Sequence, residues 1–205
     1  AAFPAGIKWQ TVLAAAGDEK YVVCNADEGD SGTFSDRLLL EGDPFCLIEG
    51  MLIAGLAVGA RKGYIYLRSE YPHAWKTLNA AILRAREAGL IGDDVLGSGR
   101  AFDIEARLGA GAYICGEETA LLESIEGRRG QVRAKPPLPA IKGLFGKPTV
   151  INNLITLASV PIILARGAAF YRDYGMGRSR GTLPFQLAGN VLRGGPSTMP
   201  RLPFL

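Results

Sequence analysis

Gly109-Ala110-Gly111-Ala112-Tyr113-Ile114-Cys115-Gly116-Glu117-Glu118-Thr119-Ala120-Leu121-Leu122 is the most informative stretch of this chain. Before it, Phe102, Ile104, Ala106 and Leu108 alternate with Asp103, Glu105 and Arg107, the period of two expected of a strand with one polar face. From Glu117 the chain is free of glycine and proline as far as Glu126 and meets Gly127 next, which predicts a helix over 117–126. A strand, a glycine-rich turn and a helix in that order bring bare backbone and free N–H groups to one point, an arrangement suited to an anion such as phosphate. It is not a dinucleotide fingerprint: Gly109 and Gly111 fit G-x-G, but the third glycine, Gly116, comes too late. Glu117 and Glu118 have two readings. They can offset the helix macrodipole, or they can face ribose hydroxyls or a ring, since a carboxylate pair would repel a phosphate.

Working outward, Tyr21-Val22-Val23-Cys24-Asn25 is an apolar run with the look of a buried strand, and Gly63-Tyr64-Ile65-Tyr66-Leu67-Arg68 is another. Residues 36–60 are read as mostly helical, with Pro44 suited to a first turn and Gly59 near the end. A helix is expected over 72–88, carrying Trp75, Leu78, Ile82 and Leu83 at helical spacing and stopping at Gly89. Residues 135–148 are rich in proline and glycine and are read as an ordered loop. Asn152 is the expected cap of a helix running to Leu164, and Pro184-Phe185-Gln186-Leu187-Ala188 is read as a later strand. Strands alternating with helices give an α/β class, with a boundary near residue 180.

Composition narrows the function. The 205 residues suffice for one sizeable domain, or for one and part of a neighbour. With 23 basic and 20 acidic residues, net charge is +3, too balanced to argue for nucleic acid. No apolar run reaches membrane-spanning length. Cys24, Cys46 and Cys115 are odd in number, far apart and without C-x-x-C spacing, so zinc and iron–sulfur ligation are unsupported and buried free thiols are expected. His73 is the only histidine and is read as a surface residue at a helix start. No metal ligands are assigned. Difficult chemistry would therefore fall to a bound cofactor.

Two further segments carry alternatives. Cys24-Asn25-Ala26-Asp27-Glu28-Gly29-Asp30-Ser31-Gly32 follows a strand, where open α/β sheets bind ligands. Its carboxylates suggest a cation site, but the calcium-loop pattern is lacking, and the same residues can satisfy turn backbone. Gly143-Leu144-Phe145-Gly146-Lys147-Pro148-Thr149 fails as a P-loop, because Pro148 replaces the required Ser or Thr.

Taken in order, these segments resemble the NADH-binding flavoprotein family of respiratory complex I and the related diaphorase subunits of NAD-linked hydrogenases and formate dehydrogenases. The carrying residues are Phe3-Pro4-Ala5-Gly6-Ile7-Lys8-Trp9, Cys24-Asn25-Ala26-Asp27-Glu28, the 109–122 stretch, Lys135-Pro136-Pro137, Gly146-Lys147-Pro148-Thr149 and Ile151-Asn152-Asn153. Gly29-Asp30-Ser31-Gly32-Thr33-Phe34, Arg68-Ser69-Glu70-Tyr71-Pro72 and Gly177-Arg178-Ser179-Arg180-Gly181-Thr182 look closest to the β subunit of cytosolic NAD-dependent formate dehydrogenase.

The resemblance implies a Rossmann-like FMN-binding domain with a mostly parallel sheet over residues 1–180, and the start of a small β-rich domain over 181–205. It implies FMN contacts at Lys8, Asn25, Asp27, Gly116, Glu117, Asn152 and Asn153. On the NAD side it implies Phe3, Asp30, Tyr113, Glu118 and Lys135. Hydride would move between nicotinamide and flavin with no catalytic side chain. Electrons would pass to iron–sulfur and catalytic subunits of a hetero-oligomeric cytoplasmic complex, with no direct membrane insertion. The resemblance also implies that the family's glycine-rich loop is truncated at Ala1, and that a 4Fe-4S domain belongs beyond this chain. Asp30 and Leu138 stand where complex I relatives carry Glu and an aromatic. The alternatives are a complex I or hydrogenase flavoprotein subunit, and a non-catalytic fragment unable to retain FMN.

Overall fold

In a computed structural model, which describes residues 4–173, the strands β1 (Tyr21–Ala26), β2 (Lys62–Leu67), β3 (Asp103–Leu108) and β4 (Thr149–Asn153) pair in parallel. Their order across the sheet is β3-β2-β1-β4. The fold is α/β and Rossmann-like, as the sequence implied. The central strand β1 is almost continuously apolar because both of its faces are covered. Val22, Cys24 and Ala26 point to the larger core, and Tyr21 and Val23 point to the smaller one.

The larger core is built by α1 (Ala5–Ala14), α2 (Ser35–Gly42), α3 (Pro44–Val58), α4 (Pro72–Glu87) and α7 (Leu154–Ala158). Leu121 and Leu122 of α5 (Glu118–Ile125) cover the other face with Leu144. Local chemistry sets the ends. Pro44 occupies the first turn of α3, the Asp43 carboxylate accepts from the Cys46 N–H at 3.3 Å, and Gly59 closes the helix in the left-handed region at φ 76°. Short helices α6 (Pro139–Lys142), α8 (Val160–Arg166) and α9 (Ala168–Asp173) complete the described chain.

Several expectations change. The helix expected over 36–60 is two helices, because Asp43 leaves the helical region at φ −147° and caps the second. Residues 135–148 contain α6 and a 3-10 turn rather than loop alone. Helix α1 and strand β4 form where no element was expected. Asn152 is therefore a strand residue, and Asn153 is the cap, its side chain accepting from the Thr156 N–H at 3.0 Å. The helix expected to reach Leu164 breaks at Ser159 into α7 and α8. His73 is 72% exposed, as a surface residue should be. The strand at Pro184, the boundary near 180 and the small β-rich domain lie outside the described residues.

The strand order locates the site. From β1 the chain moves outward to β2 and β3, then crosses back to place β4 on the other side of β1. The loop leaving β1 leads to helices over the larger core, whereas the loop leaving β3 leads to α5 on the opposite face, and a crevice opens between them at the carboxyl ends of the strands. Asn25 and Asn153 face each other in register there.

Candidate functional site

The crevice is a cleft of ≈ 570 Å³, within the range of about 300–1,000 Å³ usual for small-molecule sites. Asn25, Asp27, Asp30, Tyr113, Gly116, Glu117 and Asn153 line it, so seven of the sequence-assigned residues meet in one place. They come from three segments that are distant in sequence. Lys8, Glu118 and Lys135 join this group through ion pairs, whereas Asn152 is tied to α1. Phe3 lies outside the described residues.

Asn25 clasps the two principal loops together. Its amide nitrogen donates to the Gly116 carbonyl at 2.8 Å, and its amide oxygen accepts from the Asp27 N–H at 3.2 Å. The loops approach so closely that side chains are excluded. A Cβ on Gly116 would lie 3.1 Å from the Asp27 carboxylate, and one on Gly29 would lie 2.8 Å from the Tyr113 ring. Tyr113 is 73% exposed and reaches across to donate its hydroxyl to Asp30 at 3.1 Å.

The acidic loop after β1 divides its work. Glu28, at φ 38°, turns its carboxylate onto the start of α2. There it accepts from the Ser35 hydroxyl at 3.0 Å, from the N–H groups of Asp36 and Arg37 at 2.8 and 3.2 Å, and from the Tyr71 hydroxyl at 3.1 Å. This is the turn-satisfying reading of the segment. Among the described residues no group of three or more His, Cys, Asp or Glu side chains could hold a metal ion. Asp27 and Asp36 remain in the cleft wall, and burial raises the pKa of both. Arg68 pulls Asp27 back down while Glu70 adds to the rise, and Glu28 adds to the rise at Asp36.

On the opposite wall, Glu117 caps α5. Its carboxylate accepts from the N–H groups of Thr119 and Ala120 at 2.8 and 3.0 Å and from the Thr119 hydroxyl. Burial would raise its pKa, but these bonds and Lys135 bring it to about 2. Lys135 bridges Glu117 and Glu118 at 2.9 and 2.7 Å, and the two carboxylates outweigh its burial to raise its own pKa. Lys8 donates to the Ile151 carbonyl at 2.7 Å and lies 3.7 Å from Glu118. Two cations thus neutralise the two adjacent glutamates.

The amide donors decide what this cleft suits. The oxygens of Asn25, Asn152 and Asn153 are each committed to a protein N–H, from Asp27, Trp9 and Thr156 respectively. Among the described residues no protein acceptor takes the side-chain NH₂ of Asn152 or Asn153. Free amide donors, a lysine and close-packed glycines fit an acceptor-rich anion of the FMN kind. The residues present therefore suit the cofactor.

Three contributors were missed by sequence reasoning. Trp9 holds Asn152, Arg68 donates to the Glu28 carbonyl at 2.5 Å, and Asp36 lines the cleft. Trp9 belongs to a quoted motif, so its presence was visible while its partner was not.

Comparisons with known proteins place the chain in a family. A family model described as the Nuo51 FMN-binding domain matches residues 1–162. An NADH-quinone oxidoreductase subunit of Rhizobium meliloti (strain 1021) is 51% identical over 200 residues, covering 98% of this chain and 48% of that protein. HndC, a subunit of the NADP-reducing hydrogenase of Solidesulfovibrio fructosivorans, is 52% identical over 191 residues, covering 93% of this chain and 39% of that protein. The chain thus spans half or less of the length of these curated relatives. A crystal structure of an NAD+-reducing [NiFe]-hydrogenase in the H2-reduced state superposes with TM-score 0.79 at 44% identity, over 87% of this chain and 30% of that one. Because the family model matches residues 1–162, well over half of the sequence, this chain belongs to the Nuo51 FMN-binding domain family.

Proposed function

We propose that this chain is the FMN- and NAD(H)-binding part of a diaphorase subunit, in which a hydride is exchanged between nicotinamide and flavin. The observation that carries the reading is the convergence of Lys8, Asn25, Gly116, Glu117, Glu118 and Lys135 at the strand ends. FMN, when bound, supplies the ring that accepts or releases the hydride. The chain's own residues bind and orient. Lys8, Asn152 and Asn153 offer donors to phosphate and ring oxygens, and Asn25 and Asp27 set the distance between the loops. Tyr113 and Asp30 form a rim pair suited to a nucleotide base and ribose, with Glu118 and Lys135 completing that side. Phe3 is assigned to the same side by sequence alone.

The wider context is also a proposal. Electrons would pass on to a 4Fe-4S centre in the rest of the subunit and to iron–sulfur and catalytic subunits of a cytoplasmic complex. The relatives favour a subunit of the NADH-quinone oxidoreductase or hydrogenase type. The formate dehydrogenase reading rests only on the short motifs at residues 29–34, 68–72 and 177–182. Among the described residues no helix is long and apolar enough to cross a membrane.

Purified protein should be yellow, or become so with FMN, and should reduce an artificial acceptor with NADH. A colourless chain that stays inert after added FMN overturns the reading. Lys8→Ala should weaken flavin retention about 10-fold or more, measured as the FMN dissociation constant, because a charge-assisted donor is lost. Glu118→Ala should raise the KM for NADH by about 10-fold while flavin content changes little. Unchanged values in both variants remove these residues from the site.

A further inference from the structure

Asn152 gives half of its amide to a protein partner and half to none. Trp9, on α1, donates its indole N–H to the Asn152 side-chain oxygen at 2.9 Å. An indole nitrogen can only donate, so the atom facing it must be the amide oxygen. That contact fixes which way round the amide lies, a choice that geometry otherwise often leaves open. Asn152 is 8% exposed, and among the described residues nothing accepts from its NH₂. Among the described residues the one side-chain nitrogen or oxygen that is sealed from solvent without a partner is Arg68 Nε, so the Asn152 NH₂ is open at the surface of an otherwise buried residue, where an acceptor brought by a ligand can meet it. Asn152 stands at the carboxyl end of β4, next to the Asn153 that lines the cleft.

We propose that Trp9 is a positioning residue for the cofactor: its N–H locks the Asn152 amide in the orientation that leaves the NH₂ free to donate to an acceptor oxygen of FMN. Without that lock the amide can rotate and present its oxygen, setting two acceptors against each other. The proposal rests on the flavin-side role of Asn152 given above. Trp9 also packs against the larger core, so its N–H has to be separated from its bulk.

The test is FMN titration of the full chain, stripped of flavin, followed by flavin fluorescence quenching, with thermal unfolding recorded alongside. Trp9→Phe is expected to raise the FMN dissociation constant about 5–10-fold, the worth of one hydrogen bond. Asn152→Ala is expected to raise it at least as much. In the Asn152→Ala background, Trp9→Phe should then have no further effect, because the two residues act as one unit. Should Trp9→Phe lower the unfolding temperature, benzothienylalanine at position 9 keeps the ring shape without the N–H and should reproduce the loss of affinity. Equal losses from Trp9→Phe with and without Asn152 would show that Trp9 acts by packing, which overturns the proposal alone. An unchanged dissociation constant in Trp9→Phe, or in the benzothienyl variant, also overturns it. No effect of Asn152→Ala removes the flavin-side role of Asn152 itself.

Discussion

Gly50→Ala is expected to lower folding stability by about 3 kcal/mol or more and to abolish flavin retention with it. Gly50 lies inside α3 where that helix crosses α7. A Cβ there would come within 2.0 Å of the Leu157 carbonyl oxygen and 2.7 Å of its carbon. Both atoms belong to backbone, so no side-chain rotation can relieve the clash, and the helices have to part. Because α7 follows β4 directly, displacing it also moves Asn152 and Asn153 at the site. Gly42, the last residue of α2, provides the control. A Cβ at Gly42 meets nothing within 4 Å, so Gly42→Ala should change stability by no more than about 1 kcal/mol, and in the favourable direction. Denaturant midpoints of the two variants read the difference. Equal midpoints would mean that α3 and α7 do not cross at position 50.

The same crossing shows where sequence reading stops. Gly50 sits in an apolar helix, and nothing local distinguishes it from an ordinary small residue; its partner, Leu157, is known only once the chain is folded. Strands β1 and β2 were legible because each is a β-prone run with clear breaks, and β3 because its apolar and charged residues alternate with a period of two. Strand β4 was not. Thr149, Val150 and Ile151 are β-prone, but the run is short, follows Pro148 and ends in two asparagines that look like a helix cap. Its status as a strand comes from pairing with β1, a contact between distant segments.

The site divides in the same way. Residue types and motif order identified the loops, while the partners within them stayed hidden. Lys8 to Ile151 and Trp9 to Asn152 each span 143 residues, and Asn25 to Gly116 spans 91, separations that no periodicity can encode. Glu28 illustrates the cost. Its carboxylate looked like part of a possible cation site, yet it is taken up by the backbone at the start of α2 and by Tyr71.

Glu117 combines both readings that its position first allowed, and Glu117→Ala should therefore have two separable effects. The first is on stability. The side chain satisfies the N–H groups of Thr119 and Ala120, and losing such a cap costs about 1–2 kcal/mol. This contribution has a defined pH window. Burial opposes ionisation, but the Thr119 hydroxyl, the Ala120 N–H, Lys135 and the Thr119 N–H together lower the pKa from 4.5 to about 2. A carboxyl lowered on folding stabilises fully above its unfolded value and loses that effect as pH falls through its folded value. The gap in unfolding temperature between wild type and Glu117→Ala should thus be widest near neutrality and narrow between pH 4.5 and about 2. The second effect is on the cofactor. Without Glu117, Lys135 keeps only Glu118, and the N–H groups of Thr119 and Ala120 at the start of α5 lose their acceptor beside the cleft. FMN affinity should fall about 10-fold or more at neutral pH. Glu117→Gln keeps an acceptor oxygen but not the charge, so like the protonated carboxyl it should lose most of this stabilisation at neutral pH and show no pH window. A Glu117→Ala protein with wild-type FMN affinity would leave Glu117 as a helix cap and nothing more.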